Sequence, residues 1–237
     1  LEGLFSIAAW EKVWIYRSTF LLGLYNTGRM ALLALLLSLL LGMLFGLMAT
    51  GGKKYLQGIS RVYVELIQNT PLILQLCFLY YALAFSGKSL GIIVTGTISL
   101  GIYHGAYVSE VIRAGIGSIS KGQFEAADSQ GFNYVEKMYY VILPQSIKII
   151  LPPMVNQVVN LIKNTSCLYI IGGADLISLT YSFVTGATTG GAYAPAYLVS
   201  GLLFFVVCFP LSTLAGMWED SLKKRDRRAA GGQKAIS

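Results

Sequence analysis

KGQFEAADSQGFNYVEKMYYVILP, Lys121 to Pro144, is the stretch from which the rest of the chain can be read. It is polar and punctuated by glycine, in a chain whose other long stretches are mostly apolar. The pattern predicts two short helices joined at a glycine. Ser120 stands at an N-cap position with Gln123 three residues on, the spacing of a capping box. Asn133 and Glu136 repeat that spacing ahead of the second helix. Gly131 falls between them, where a left-handed cap residue is expected, because glycine takes that conformation without a Cβ clash. Pro144 is expected to mark the next boundary, since proline cannot donate the hydrogen bond that continues a helix. On these residues alone, the stretch is a solvated, well-capped loop between membrane spans.

The composition around it agrees. The chain has 237 residues, is 55% hydrophobic and only 12% charged. A soluble domain carries about twice that charge. The class is therefore an all-α, polytopic membrane protein whose partner is the lipid bilayer. The net charge is +7, but the basic residues sit beside hydrophobic spans and near the C-terminus. That pattern fits orientation in a membrane, and no nucleic-acid partner is expected. Cys77, Cys167 and Cys208 all lie in apolar stretches and read as small buried hydrophobes. His104 is the only histidine, so it is expected to be packed, and no metal site is expected. Residues 1–30 lack a basic segment ahead of a compact apolar core, so no cleavable signal peptide is expected.

About five spans are expected. Residues 1–26 mix Trp10, Trp14 and Phe20 with Glu11, Lys12 and Arg17, which suits a segment at the membrane interface. A transmembrane domain over 27–218 follows, with spans near Met30–Met48, Arg61–Phe85, Ile92–Ile116, Ile147–Ile171 and Pro195–Met217. Gly42 and Gly46 form a small-xxx-small step for close helix approach. Pro71 is expected to bend the second span. Glu110 and Arg113 are one turn apart and expected to pair. Residues 172–194, rich in Gly and Thr, read as a long turn. A basic tail, 219–237, is expected to be partly disordered. Lys53, Lys54 and Arg61, then Lys121, Lys137 and Lys148, then the tail place those segments in the cytoplasm. The N-terminus is then outside and the C-terminus inside.

Glu125, Ala126, Ala127 and Gly131, followed by Val141, Ile142, Leu143 and Pro144, resemble the EAA signature of bacterial importer permeases of the ATP-binding cassette (ABC) class. Asn69-Thr70-Pro71-Leu72 is similar to the Gly-Thr-Pro-Leu step of the polar amino-acid uptake branch. Gly105-Ala106-Tyr107 with Glu110 and Arg113 looks like its third-span signature, and Lys163-Asn164-Thr165-Ser166 like its Lys-Asp-Thr-Ser step. The resemblance covers about 21–217. It implies a type I ABC importer-like permease in the bacterial cytoplasmic (inner) membrane, coupled through 120–144 to the ATPase. Glu125, Ala126, Ala127 and Gly131 would form the coupling site, with Ala126 and Ala127 facing the ATPase. It also implies two ATPase subunits, a second permease subunit, identical or related, and an extracytoplasmic amino-acid-binding protein. ATP and Mg would belong to the ATPase, with no cofactor and no catalysis on this chain. Ala82–Ser89, ALAFSGKS, fits a loose P-loop pattern, but it ends a membrane span where a P-loop needs a preceding strand.

Asn156, Asn160, Lys163 and Asn164 fall on one face of a helix, and such a stripe in a span faces a cavity or another helix. Lys163, Asn164, Thr165 and Ser166 are candidate substrate contacts, as are Gln68, Asn69 and Thr70 beside the Pro71 bend. Asn164 stands where the family carries an acid, and a neutral amide favours a polar, uncharged amino acid, glutamine first, over arginine. The alternative is an ion-coupled secondary transporter or a channel with no ATPase. Against it, five spans do not divide into halves and no intramembrane carboxylate cluster appears.

Overall fold

The computed structural model describes residues 6–234, with side chains to Leu222. Among these residues every regular element is helical. The order is α1 (Ile7–Ile15), α2 (Arg17–Thr50), α3 (Lys54–Gln68), α4 (Leu72–Phe85), α5 (Ile92–Gly117), α6 (Lys121–Ser129), α7 (Tyr134–Glu136), α8 (Leu143–Asn164), α9 (Leu176–Thr185) and α10 (Tyr193–Lys234). A π-helical stretch, Lys137–Ile142, joins α7 to α8, and a 3-10 stretch, Thr165–Ile171, follows α8. Four helices are long and apolar enough to cross a membrane, or five if α3 and α4 form one bent span.

In lipid, helices associate by close packing more than by the hydrophobic effect, so small residues decide which pairs meet. The α2–α5 pair is the spine. A Cβ on Gly42 would lie 2.2 Å from Val108 Cγ1, and one on Gly46 would lie 2.9 Å from the Ile112 side chain. The small-xxx-small step therefore brings α5 against α2 as expected. Three apolar clusters follow from this pairing. Met30, Ala34, Leu76, Leu100, Leu161 and Leu168 fill the middle. Val13, Phe20, Leu176 and Phe183 close one end. Val108, Ile112, Met138, Ile142 and Ile150 close the other.

Several expectations need correction. Pro71 does more than bend a helix. The second span breaks by 99° between α3 and α4, with Asn69 to Pro71 outside either helix. Proline removes a donor and pushes its predecessor out of the helical region. The freed carbonyls are served by Gln75, whose Nε2 donates to Ile67 O at 2.9 Å and Thr70 O at 3.1 Å. Pro144 marks the start of α8 but not a break, because helix runs on from Tyr134 to Ile171. The proline ring crowds the carbonyl four residues earlier. Here the preceding turns are widened to π geometry, and side chains of Gln145 and Ser146 donate to Val141 O and Ile142 O, both at 2.8 Å.

The 172–194 turn contains a helix, α9. Asp175 caps it by accepting from Ile177 N at 3.0 Å and Ser178 N at 3.4 Å. Burial pushes the Asp175 carboxyl above the usual range, opposed by its hydrogen bonds from Ser178 and Ile177. Thr27 Oγ1 accepts from Leu176 N at 3.0 Å, and Asn26 Nδ2 donates to Ala174 O at 2.9 Å, so α2 holds α9 in place. At the N-terminal end Ser6 caps α1, and α2 starts at Arg17, running unbroken through residues 26 and 27. Trp10 and Trp14 are exposed there, with the Arg17 guanidinium 5.0 Å over the Trp14 ring. Helix α10 continues past Met217. Of the tail, 219–237, the backbone is helical to Lys234, and residues 235–237 lie outside the described residues.

Candidate functional site

Two places carry the candidate residues. The first is the loop after α5. Helix α6 ends in a Schellman motif: Phe132 N donates to Ala127 O at 3.1 Å and Gly131 N to Asp128 O at 2.9 Å. Gly131 has φ +80°, the left-handed conformation its position requires. Asn133 and Glu136 form the expected capping box, with bonds of 3.0 and 2.8 Å. Lys137 pairs with Asp128 and ties the end of α6 to the π stretch. Ser120 sits at the N-cap of α6 but makes no capping bond with its side chain. Gln123, its expected box partner, instead accepts from Gln145 Nε2 at 3.1 Å.

Glu125 and Ala126 are exposed, as are Tyr134, Val135 and Tyr139. Ala127 is 2% exposed and faces its own chain. The expectation that both alanines point outward is therefore corrected for Ala127. Its small side chain lets α6 lie flat on the following turn, where Phe132 N reaches its carbonyl.

The second place lies between α3, α5 and α8. A cleft of about 390 Å³ is lined by Gln68, Tyr107, Glu110, Ala114, Pro153 and Gln157. An adjoining cleft of about 460 Å³ shares Gln68 and Glu110 and adds Arg61, Glu65 and Arg113. Glu110 and Arg113 pair as expected, with Arg113 Nε donating to Glu110 Oε2 at 2.9 Å. Arg61 and Glu65 pair at 2.7 Å. Both charged pairs are within one helix, so neither locks two helices together.

The candidate contacts divide. Gln68 lines both clefts, with Nε2 3.5 Å from Ala106 O. Asn69 Nδ2 donates to Glu65 O, and Thr70 Oγ1 to Leu66 O, each at 2.8 Å. These two side chains serve the broken end of α3. Thr165 is fully buried and bonds to Ile162 O at 2.7 Å. Lys163 is exposed, as are Asn156 and Asn160 on the same face. Asn164 instead turns to α5, where its Nδ2 lies 3.1 Å from His104 Nε2. Ser166 is half-buried.

His104, Tyr107, Gln157 and Gln75 were not singled out as site residues by the sequence. Tyr107 is bonded through its hydroxyl to that of Tyr103, one turn earlier, at 3.1 Å. One signal was present: Gln157 lies seven residues before Asn164, two turns along α8. The pairing of His104 with Asn164 spans sixty residues and leaves no local trace.

The family model described as binding-protein-dependent transport system inner membrane component matches residues 38–224. The chain is 39% identical over 207 residues to a probable glutamine ABC transporter permease protein, GlnM, of Bacillus subtilis (strain 168), covering 87% of this chain and 94% of the relative. It is 34% identical over 169 residues to the arginine transport system permease protein ArtQ of the same organism, covering 71% and 76%. Among solved structures, a crystal structure of an amino acid ABC transporter with histidines matches with TM-score 0.78 at 32% identity, covering 87% of this chain and 95% of that one. An inward-facing MetNI methionine ABC transporter matches with TM-score 0.69 at 15% identity, covering 86% and 97%, a likeness of fold alone.

Proposed function

The chain belongs to the family of binding-protein-dependent transport system inner membrane components, and from that membership we propose that it is the permease subunit of an ATP-driven importer of a polar, uncharged amino acid, glutamine first. It is a multi-pass protein of the inner membrane. ATP is hydrolysed on separate ATPase subunits, which hold ATP and Mg. A second permease subunit and an external amino-acid-binding protein complete the assembly.

The loop from Lys121 to Pro144 is the coupling element in this reading. Its exposed Glu125, Ala126, Tyr134 and Val135 offer a small, mixed surface to the ATPase. The Schellman turn at Gly131 and the box at Asn133 hold that surface in one shape. The translocation path runs along the cleft between α5 and α8.

One observation carries the substrate class. Asn164, at the position where the family carries an acid, is an amide bonded to a histidine. The carboxylate that lines the cleft, Glu110, is already paired with Arg113. An ammonium side chain entering a low-dielectric site needs an opposite charge, whereas a carboxamide needs only donors and acceptors. The relatives carry both substrate names, glutamine and arginine, so the comparison alone does not choose between them.

Uptake of labelled glutamine into vesicles containing the full assembly, competed by unlabelled amino acids, tests this. Glutamine and asparagine should compete strongly and arginine weakly. Competition by arginine alone overturns the substrate class. Uptake at full rate without the ATPase, driven by an ion gradient, overturns the ATP-driven reading.

A further inference from the structure

His104 stands at the middle of α5 and is 2% exposed. Its Nε2 lies 3.1 Å from the Asn164 side-chain nitrogen. An amide nitrogen only donates, so Nε2 accepts. With the amide nitrogen turned to the ring, the imidazole carries its hydrogen on Nδ1. Beside the ring also lie Gln157 and the rings of Tyr103 and Tyr107, whose centroids are 5.4 and 6.3 Å away. None of them is a carboxylate. An ionised group buried in such surroundings is stable only beside a partner of opposite charge.

We propose that His104 is a specificity-determining residue that keeps position 164 electrically neutral. The proposal rests on the reading that a polar amino acid passes along the α5–α8 cleft. The histidine has two effects. It holds Asn164 by its nitrogen, next to the ring's own neighbours Gln157 and Tyr107, which line the cleft. It also cancels any acid placed at 164. An aspartate there would draw a proton onto the imidazole from water and form an internal ion pair with it, leaving no net charge to attract a cationic side chain. Selection of cations therefore requires two changes, loss of the imidazole and gain of the acid.

His104 is the only histidine in the chain, so isotope-labelled histidine in this subunit, with unlabelled partners, gives one imidazole signal by NMR. The assembled transporter is compared as wild type, Asn164→Asp, His104→Gln and the double variant. Binding of labelled glutamine and arginine is measured on each complex without the external binding protein. The wild type should show a neutral imidazole with hydrogen on Nδ1, and Asn164→Asp an imidazolium at neutral pH. Asn164→Asp should still prefer glutamine, while the double variant should move toward arginine by about tenfold or more, the scale of one close charge pair. A neutral imidazole in Asn164→Asp overturns the proposal without reference to any substrate. So does an arginine preference in Asn164→Asp as large as in the double variant. If the wild-type complex binds neither amino acid while the imidazole charges as expected, the transport reading fails and the specificity role falls with it.

Discussion

One dihedral angle fixes the direction of the chain between α6 and α7, the φ of +80° at Gly131. A β-branched residue there costs about 1–2 kcal/mol against the left-handed conformation, and the surrounding turn has two bonds to lose. Gly131→Val is expected to leave the protein in the membrane but to separate ATP hydrolysis from uptake. Both rates, measured on the same vesicles, check this, and normal uptake per ATP would count against a rigid coupling loop. Asn133→Ala removes the capping oxygen and should lower stability by about 1 kcal/mol, read as a shift in thermal unfolding of the purified protein. These residues were legible in the sequence because each acts on partners within three to five positions of itself. Ser120 and Gln123 have the same spacing yet form no box. Gln123 is claimed by Gln145, which lies twenty-two residues further on, and no local pattern records that competition.

Among the elements, the break between α3 and α4 shows how far a local signal reaches. Pro71 says that a helix is interrupted, but not by how much. The 99° turn depends on whether the freed carbonyls find donors, and the donor is Gln75. Gln75→Leu keeps the volume and removes those bonds, which should cost about 1–3 kcal/mol in buried surroundings. Thermal unfolding in detergent measures it, and an unchanged transition would show that water serves those carbonyls instead. Helix α9 was hidden for a related reason. Its sequence, Leu176 to Thr185, is flanked by glycine and threonine that read as loop. Asp175 followed by an apolar run and Gly186 was the local sign of a capped helix. Its position is set by Thr27 and Asn26 of α2, about 150 residues away in sequence.

For the whole molecule, the number of crossings decides on which side each end lies. If α3 and α4 together cross the membrane, Gly52 and Lys88 are on opposite faces, and the N-terminus lies opposite the C-terminus. If the pair re-enters, Gly52 and Lys88 share a face. Single cysteines at these two positions, in a background without Cys77, Cys167 and Cys208, distinguish the cases with an impermeant thiol reagent. The expected outcome is labelling of Gly52→Cys from the cytoplasmic side and of Lys88→Cys from the outside. The polar face of α8 has a different consequence. Asn156, Asn160 and Lys163 are exposed on the surface of a single chain, and Lys163 lies eight residues, about 15 Å, inside the end of its span. An ammonium group there suits neither lipid nor an isolated subunit. The same feature that serves the assembled protein thus marks an orphan copy for quality control. Made without its partners, the subunit should be cleared by membrane proteases faster than in their presence, and Lys163→Leu should lengthen the orphan's half-life in a pulse-chase experiment. The dose of this subunit in a cell is then set by how much of its partner is made.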